Sequence, residues 1–413
     1  MPPSTRSASE SGPTRRSFLR AGALTLAGGS AASAGCIEVL PPLGQRVRVG
    51  SVAVPPATPP TYRAWIPAPS AVPTETAGLF SDVMITTPGE TGQDVSGHSF
   101  SLARQVMVSQ LDWFGQRFEQ YDWAMRLGNH AIVLSGGVDR SAAESAIEGT
   151  EYEPVETHHG YDLYTRTDVI RTVAIGDDAI VFSRSSQGSQ IIKAMLDAKG
   201  GRVPRYHEVD ADIAAITSAV GLRPFGWMGS GHVGDDSPAV LGSASFSYDE
   251  SAVYLVNRYL YPSADAVPIK RHKRNQRSNE YSLSGGVTDV HQDGRIAVIA
   301  RRMTHEQAWR DSVPRFIPHI TWGFEFDEQA SSLTIHHEAG DSIDADLFTI
   351  SYFGSGAVNE TDPPQFSDVT DSIAPGDSLT LDLSEYEQVN RVRGFYEDGQ
   401  KRSVLFRYMV AQP

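Results

Sequence analysis

Cysteine is nearly missing from this chain: among 413 residues only Cys36 carries a thiol. One thiol cannot pair within the chain, so a disulfide framework is excluded, and so is a metal centre built on cysteine pairs. No run approaches the ~18 consecutive apolar residues that a spanning helix needs. Lysine is scarce as well. Lys193, Lys199, Lys270, Lys273 and Lys401 are the only five among 35 basic side chains, which face 50 acidic ones. The motifs that announce common chemistry are also lacking: there is no H-E-x-x-H, no H-x-H, no G-x-S-x-G, no P-loop, and no G-x-G-x-x-G after a strand. The 40% apolar content nevertheless supplies ordinary cores, so disorder throughout is excluded.

What is present begins with an address. Thr14-Arg15-Arg16-Ser17-Phe18-Leu19-Arg20 leads into a weakly apolar run from Ala21 to Gly35. Paired arginines before a short Ala/Gly/Leu core read as a twin-arginine export signal, with Arg15, Arg16, Phe18 and Leu19 as the residues the export machinery recognises. The run ends at Ser33-Ala34-Gly35-Cys36, which resembles the lipobox of prokaryotic lipoproteins. The resemblance implies removal of residues 1–35 and lipidation of Cys36, although Ser33 stands where the family pattern prefers Leu or Val. Membrane lipid held through Cys36 would place the chain on the extracellular face of the cell membrane. Loss of residues 1–35 removes four arginines and one glutamate and takes the net charge from −15 to −18. A carboxylate-rich, lysine-poor surface stays solvated when salt screens repulsion. With the export signal, it resembles the twin-arginine lipoproteins of haloarchaea.

Punctuation and periodicity divide the remainder. Residues 36–75 hold Pro41-Pro42, Pro55-Pro56 and Pro59-Pro60, which predict an extended tether after the lipidated cysteine, interrupted by one short strand over Val47 to Val54. Residues 76–221 form a first α+β lobe. In it Leu111, Phe114, Phe118 and Tyr121 fall at helical intervals, and strands are predicted at Ala131 to Leu134, Tyr161 to Thr165, Thr172 to Ile175 and Ala179 to Ser183. Helices are predicted at Ser141 to Ile147 and Gln187 to Lys199. Strand, helix, strands, hairpin and helix in this order predict a ferredoxin-like split βαβ lobe. Residues 222–317 read as a second such lobe, because the hairpin-then-helix pattern of 172–199 recurs at 286–313. Residues 318–413 change to short strands between turn clusters and predict a C-terminal antiparallel β-sandwich. There Leu333-Thr334-Ile335-His336-His337-Glu338-Ala339-Gly340-Asp341-Ser342-Ile343 is answered by Ile373-Ala374-Pro375-Gly376-Asp377-Ser378-Leu379. These two motifs resemble the β-domain of haloarchaeal type IV pilin-like proteins. The chain lacks a pilin's assembly helix, so filament formation is not implied.

Candidate chemistry is sparse. His158-His159 and His336-His337 are adjacent pairs in predicted strands, where neighbouring side chains point to opposite faces, so neither pair serves one ion. Asp341, Asp344 and Asp346 share a turn without matching a calcium loop and read as solvated surface. Ser230 and His232 are a weak hydrolase pair in a glycine-rich stretch. No cofactor, no metal and no catalytic residue is therefore assigned. The one charge anomaly is Lys270-Arg271-His272-Lys273-Arg274-Asn275-Gln276-Arg277, read as a loop between strands. Lys270, Arg271, Lys273, Arg274 and Arg277 could grip an acidic surface polymer or an envelope protein. Nucleic acid is disfavoured, since the remaining surface repels phosphate. The expected role is non-catalytic binding, adhesion or envelope assembly. The competing expectations are an extracellular hydrolase with its site between the lobes, or a solute-binding lipoprotein of a transporter.

Overall fold

The computed structural model describes residues 48–73, 82–88, 107, 111–230, 233, 237–278, 287–305, 317–354, 363–384, 389–399 and 401–410. Its centre is one sheet built, in chain order, from β1 (Arg48–Val49), β2 (Val83–Thr86), β3 (Trp123–Leu127), β4 (Ala131–Ser135), β5 (Glu153–His158), β6 (Tyr161–Arg166), β7 (Arg171–Ile175), β8 (Ala179–Ser183), β9 (Phe225–Gly229), β10 (Leu241–Asp249), β11 (Ala252–Leu260), β12 (Val287–Asp293) and β13 (Ile296–Met303). The 13 strands lie in the order β1-β12-β13-β11-β10-β9-β2-β3-β4-β8-β7-β6-β5. Neighbours are antiparallel except β1, which runs parallel to β12. The sheet passes through the 221/222 boundary without a break, because β2 pairs with β3 on one side and with β9 on the other.

Helices α1 (Arg140–Ile147), α2 (Gly188–Lys199), α3 (Tyr206–Val209), α4 (Ala211–Val220) and α5 (Ile269–Ser278) lie over this sheet. Asp139 caps α1 by accepting from the Ala142 amide, and Asp210 caps α4 by accepting from Asp212 and Ile213, which satisfies amides that a helix start leaves free. The two halves share an order. In each, a hairpin (β3-β4 or β10-β11) is followed by a helix (α1 or α5) and later by a hairpin (β7-β8 or β12-β13) whose last strand inserts beside the first hairpin, with the pair β5-β6 added after α1 in the first half only. The expectation of ferredoxin-like lobes needs correction on helix placement. In that fold the helices share one face, whereas α1 packs Ala143 and Ile147 into one core and α2 packs Ile191, Ile192, Met195 and Leu196 into another. The cause is legible in the strands. Ile132 and Leu134 of β4 enter the first core and Ala131 and Val133 the second, so both faces are apolar and both need cover.

Two further expectations change. Leu111, Phe114, Phe118 and Tyr121 are all buried, but not on a helix: Gly115 takes φ +69° and only Phe118–Gln120 forms a 3₁₀ turn before β3. The spacing that mimicked a helix is that of a plug filling the space over the sheet. The tether is docked from residue 48 onward. Tyr62, Trp65, Ile66 and Val72 are buried in the α2-side core, and bridges at Thr58 to Leu222 and Pro67 to Arg205 fix the segment in place. Burial of such large side chains contributes roughly 1.5–3 kcal/mol each, which outweighs the extended bias of the prolines.

The C-terminal part forms two three-stranded antiparallel sheets and a small pair. β14 (Ile320–Asp327), β15 (Ser332–Gly340) and β19 (Ser378–Asp382) make the first sheet, and β17 (Phe348–Gly354), β20 (Val389–Asp398) and β21 (Lys401–Met409) the second. β16 (Ile343–Asp344) pairs with β18 (Ser372–Ile373). The sheets share a core: Trp322 lies 5.2 Å from Phe348 and Phe324 5.1 Å from Phe406, centroid to centroid. On β15, Leu333, Ile335, His337 and Ala339 alternate inward, as a half-buried strand requires. The coarse class is thus α+β, dominated by antiparallel sheet.

Candidate functional site

Where the large sheet meets the C-terminal sheets, the described residues are packed. Apolar residues of both parts, from Trp113 and Phe114 to Trp322 and Ile335, belong to one continuous core. Within it sits a charged cluster. Asp112, from the plug, meets Arg171 at the start of β7 and accepts a 2.7 Å hydrogen bond from the Tyr152 hydroxyl. Arg166, at the end of β6, donates to both oxygens of Asp168 at 2.7 and 2.6 Å and to both oxygens of Glu338 on β15 at 3.2 Å. Asp168 in turn accepts from the Phe324 amide of β14 at 3.1 Å. The Arg166 side chain is 0% exposed, that of Asp112 1% and that of Glu338 7%.

Electrostatics divide the three carboxylates. Burial works to raise Asp112, but the Arg171 and Arg166 guanidiniums outweigh it and hold the carboxyl below its ordinary value. Burial also dominates at Glu338, and there it prevails: Arg166 is shared among three acids, Asp112 and Asp168 repel, and Glu338 is pushed up to about 7. A second tie lies nearby. Asp341 binds Arg117 at 2.9 Å and accepts from the His319 amide, while His319 Nε2 accepts from the Phe118 amide at 3.2 Å. This chemistry clamps two parts of the chain together. The groups contributing to it are spent on one another.

The cationic segment is a helix. Lys270, Arg271, Lys273 and Arg274 lie exposed on α5, and the backbone of Arg277 belongs to the same helix. The expectation of a loop is corrected: Lys, Arg and Gln are good helix formers, and Pro268, which needs no amide partner, precedes the first turn. Ile269 packs beside Tyr261, Val267 and Ala297, and the His272 ring stacks on Tyr259 at 5.3 Å and bonds the Tyr261 hydroxyl at 2.8 Å. Docking through His272 and Ile269 turns the charged residues outward. α5 packs on β12 and β13, and β12 is the strand beside which the chain enters the sheet as β1.

The histidine pairs behave differently from each other. His337 is buried with Nε2 2.9 Å from the Asp341 carbonyl while His336 faces outward, as strand alternation requires. His158 and His159 converge instead, with ring centroids 4.1 Å apart and both Nε2 atoms on Oδ1 of Asp197. The expectation of opposite faces fails because β5 ends at His158 and His159 adopts φ +53°. A residue followed by glycine between two strands is a hairpin-turn signal that would have revealed this. Asp341, Asp344 and Asp346 do not converge: Asp341 is paired as above, and Asp344 accepts from the Asp346 amide as a cap. The Asp112–Arg166–Arg171–Glu338 cluster had no sequence signal, since Asp112 and Glu338 are far from the two arginines in the chain and each member resembles an ordinary surface charge.

Cys36 and the signal residues Arg15, Arg16, Phe18 and Leu19 lie outside the described residues, as does His232. No helix among the described residues is long and apolar enough to cross a membrane. No protein family and no curated protein sequence matches the chain. Among solved structures, crystal form I of TP0453 is similar at 10% identity and a TM-score of 0.36, over 55% of this chain and 90% of that one. Crystal form IV gives 10% and 0.35 over 55% and 90%, and crystal form III gives 8% and 0.34 over 58% and 95%. At these scores nothing about fold or function follows from the likeness.

Proposed function

We propose that this chain is an exported, lipid-anchored protein of the extracellular membrane face, with a non-catalytic role in binding, adhesion or envelope assembly. One observation supports the non-catalytic reading: where the large sheet meets the C-terminal sheets, the buried charges pair with one another and hold two parts of the chain together, as a scaffold requires. The reading takes the two C-terminal sheets as a β-sandwich of the pilin-like kind and the two halves of the large sheet as a duplicated unit.

Anchorage at Cys36 also gives α5 a place. Eleven residues lie between Cys36 and β1, twelve steps with a reach of at most about 40–43 Å when fully extended. The chain then joins the sheet beside β12, against which α5 rests with its cations outward. This closeness to the strand where the chain enters supports the reading that α5 meets an acidic surface polymer or envelope protein. In molar salt, where the Debye length is about 3 Å, binding there depends on direct contacts, and arginine forks make those better than lysine.

The test is fractionation of cells expressing the full chain. Cys36→Ser should release the protein into the medium or leave an uncut precursor, whereas unchanged membrane retention with unchanged mass removes the anchor. In the released Cys36→Ser background, replacing Arg271, Arg274 and Arg277 by lysine should lower re-binding to cell envelopes at constant charge. Equal re-binding refutes the role given to α5.

A further inference from the structure

We infer that His158, His159 and Asp197 bind one divalent transition-metal ion of the zinc, nickel or copper class. The site begins with a turn. β5 and β6 are joined by His159-Gly160, both in the left-handed region at φ +53° and +82°, with His158 paired to Tyr161 across the hairpin. Two residues at positive φ form the tight turn that matches strand twist, a place usually given to Asn-Gly or Gly-Gly. Histidine here costs more than asparagine would, and the conformation brings its imidazole onto the side already occupied by His158.

The third donor comes from α2. Asp197, in its last turn, presents Oδ1 at 3.1 Å from His158 Nε2 and 2.7 Å from His159 Nε2. The three donor atoms lie within 4.8 Å of one another, the one such grouping of three metal-ligating side chains among the described residues. Zinc bonds of about 2.0–2.2 Å at tetrahedral angles set donors about 3.3–3.5 Å apart. The Asp197 contacts at 3.1 and 2.7 Å would open by about 0.2–0.8 Å to admit the ion. Two imidazoles and one carboxylate suit borderline ions and are a poor match for calcium or magnesium, which prefer oxygen.

Both histidine rings turn their Nε2 atoms onto the same oxygen of Asp197, so the three side chains already face one point. The two lysines of α2 are engaged elsewhere, Lys193 with Glu156 of β5 and Lys199 with Asp178. The three side chains are 21%, 32% and 25% exposed, so an ion can enter and water can complete its coordination. Ligands from a hairpin tip and from a helix make the ion a clip that pins β5–β6, at the end of the sheet, onto α2.

The experiment is calorimetric titration of the metal-stripped full chain with Zn²⁺ at pH 7.5, paired with thermal melts. The parent should bind one equivalent that Asp197→Asn and His158→Ala lose, with affinity at least about a hundredfold weaker, since losing outer-shell partners alone costs 10–100-fold. Zn²⁺ should raise the parent Tm and leave those variants unmoved. His159→Asn tolerates the left-handed turn; it should melt like the parent without zinc and yet lose the equivalent. No equivalent in the parent, or the same equivalent in His159→Asn and Asp197→Asn, overturns the site and leaves a hydrogen-bonded clasp only.

Discussion

Replacing Glu338 by glutamine should make the protein less sensitive to pH, and the size of the effect follows from the buried cluster. Glu338 is pushed from an ordinary 4.5 to about 7 in the folded chain, chiefly by burial. A group raised on folding favours the folded state fully below its unfolded value, and that contribution is lost as pH rises through the folded value. Between pH 4.5 and 7, Glu338 should therefore remove stability with rising pH, by at most about 1.4 kcal/mol per pH unit and by about 3 kcal/mol in all. Glutamine keeps the shape of the protonated acid and cannot ionise. Urea unfolding of parent and Glu338→Gln at pH 5, 6, 7 and 8, at one fixed salt concentration, should give curves that diverge, with the variant gaining relative to the parent by up to about 3 kcal/mol at pH 8. Arg166→Met supplies the opposite sign. It leaves Asp112, Asp168 and Glu338 without their shared cation and should cost on the order of 3–5 kcal/mol at pH 8, as when one partner of a buried pair is removed. Parallel pH curves for parent and Glu338→Gln, or a parent that gains stability from Glu338 between pH 5 and 7, would refute the reasoning.

Three shorter predictions follow from other features. Arg15→Lys with Arg16→Lys should stop export, because a receptor that reads planar guanidinium forks does not accept ammonium; normal surface appearance in a fractionation assay would mean another route. The acidic chain should need salt and no disulfide to fold, so its Tm should rise from 0.01 M salt, where the Debye length is roughly 30 Å, to molar salt, and a flat melting profile would sink the halophilic reading. Gly340→Ala should lower stability by roughly 1–3 kcal/mol or more in chemical unfolding, since Gly340 sits at φ +109° and an added Cβ would overlap the His319 carbonyl oxygen; a silent substitution would place that turn elsewhere.

Local signals carried far in this chain, and tertiary ones did not. The hairpin Thr172 to Ser183 around Gly176-Asp177-Asp178 and the helix ending at Gly200 stand where turn and stop residues put them, as β7, β8 and α2. Strands with clean alternation, such as Ser332 to His336, were equally legible. The short runs β5, β9 and β14 were not, because Glu153–His158 is almost wholly exposed and Phe225–Gly229 is broken by glycine, so neither has a strand's usual pattern. The aromatic plug failed for the reverse reason: its helical spacing is real, but burial against two sheets decides its conformation. Of the candidate sites, the cationic segment was visible as composition and wrong only in conformation. The His158–His159–Asp197 grouping was hidden by a strand rule that stops applying at the turn. No local pattern points to the Arg166 cluster at all, because what defines it is the absence of water.

The outermost strand β5 sets a limit on how copies of this molecule can associate. A sheet of 13 strands ending in unpaired amides and carbonyls would be a template for joining edge to edge. Along β5, however, Pro154 offers no amide, Glu153 puts a charge where a second copy would have to dock, and the register slips between Pro154 and Glu156. Each device spoils the straight ladder that a neighbouring strand requires. Any lattice or cluster on a cell surface would accordingly have to grow through faces and loops, where contacts can be made and released singly, and not by zipping sheets into a continuous fibre.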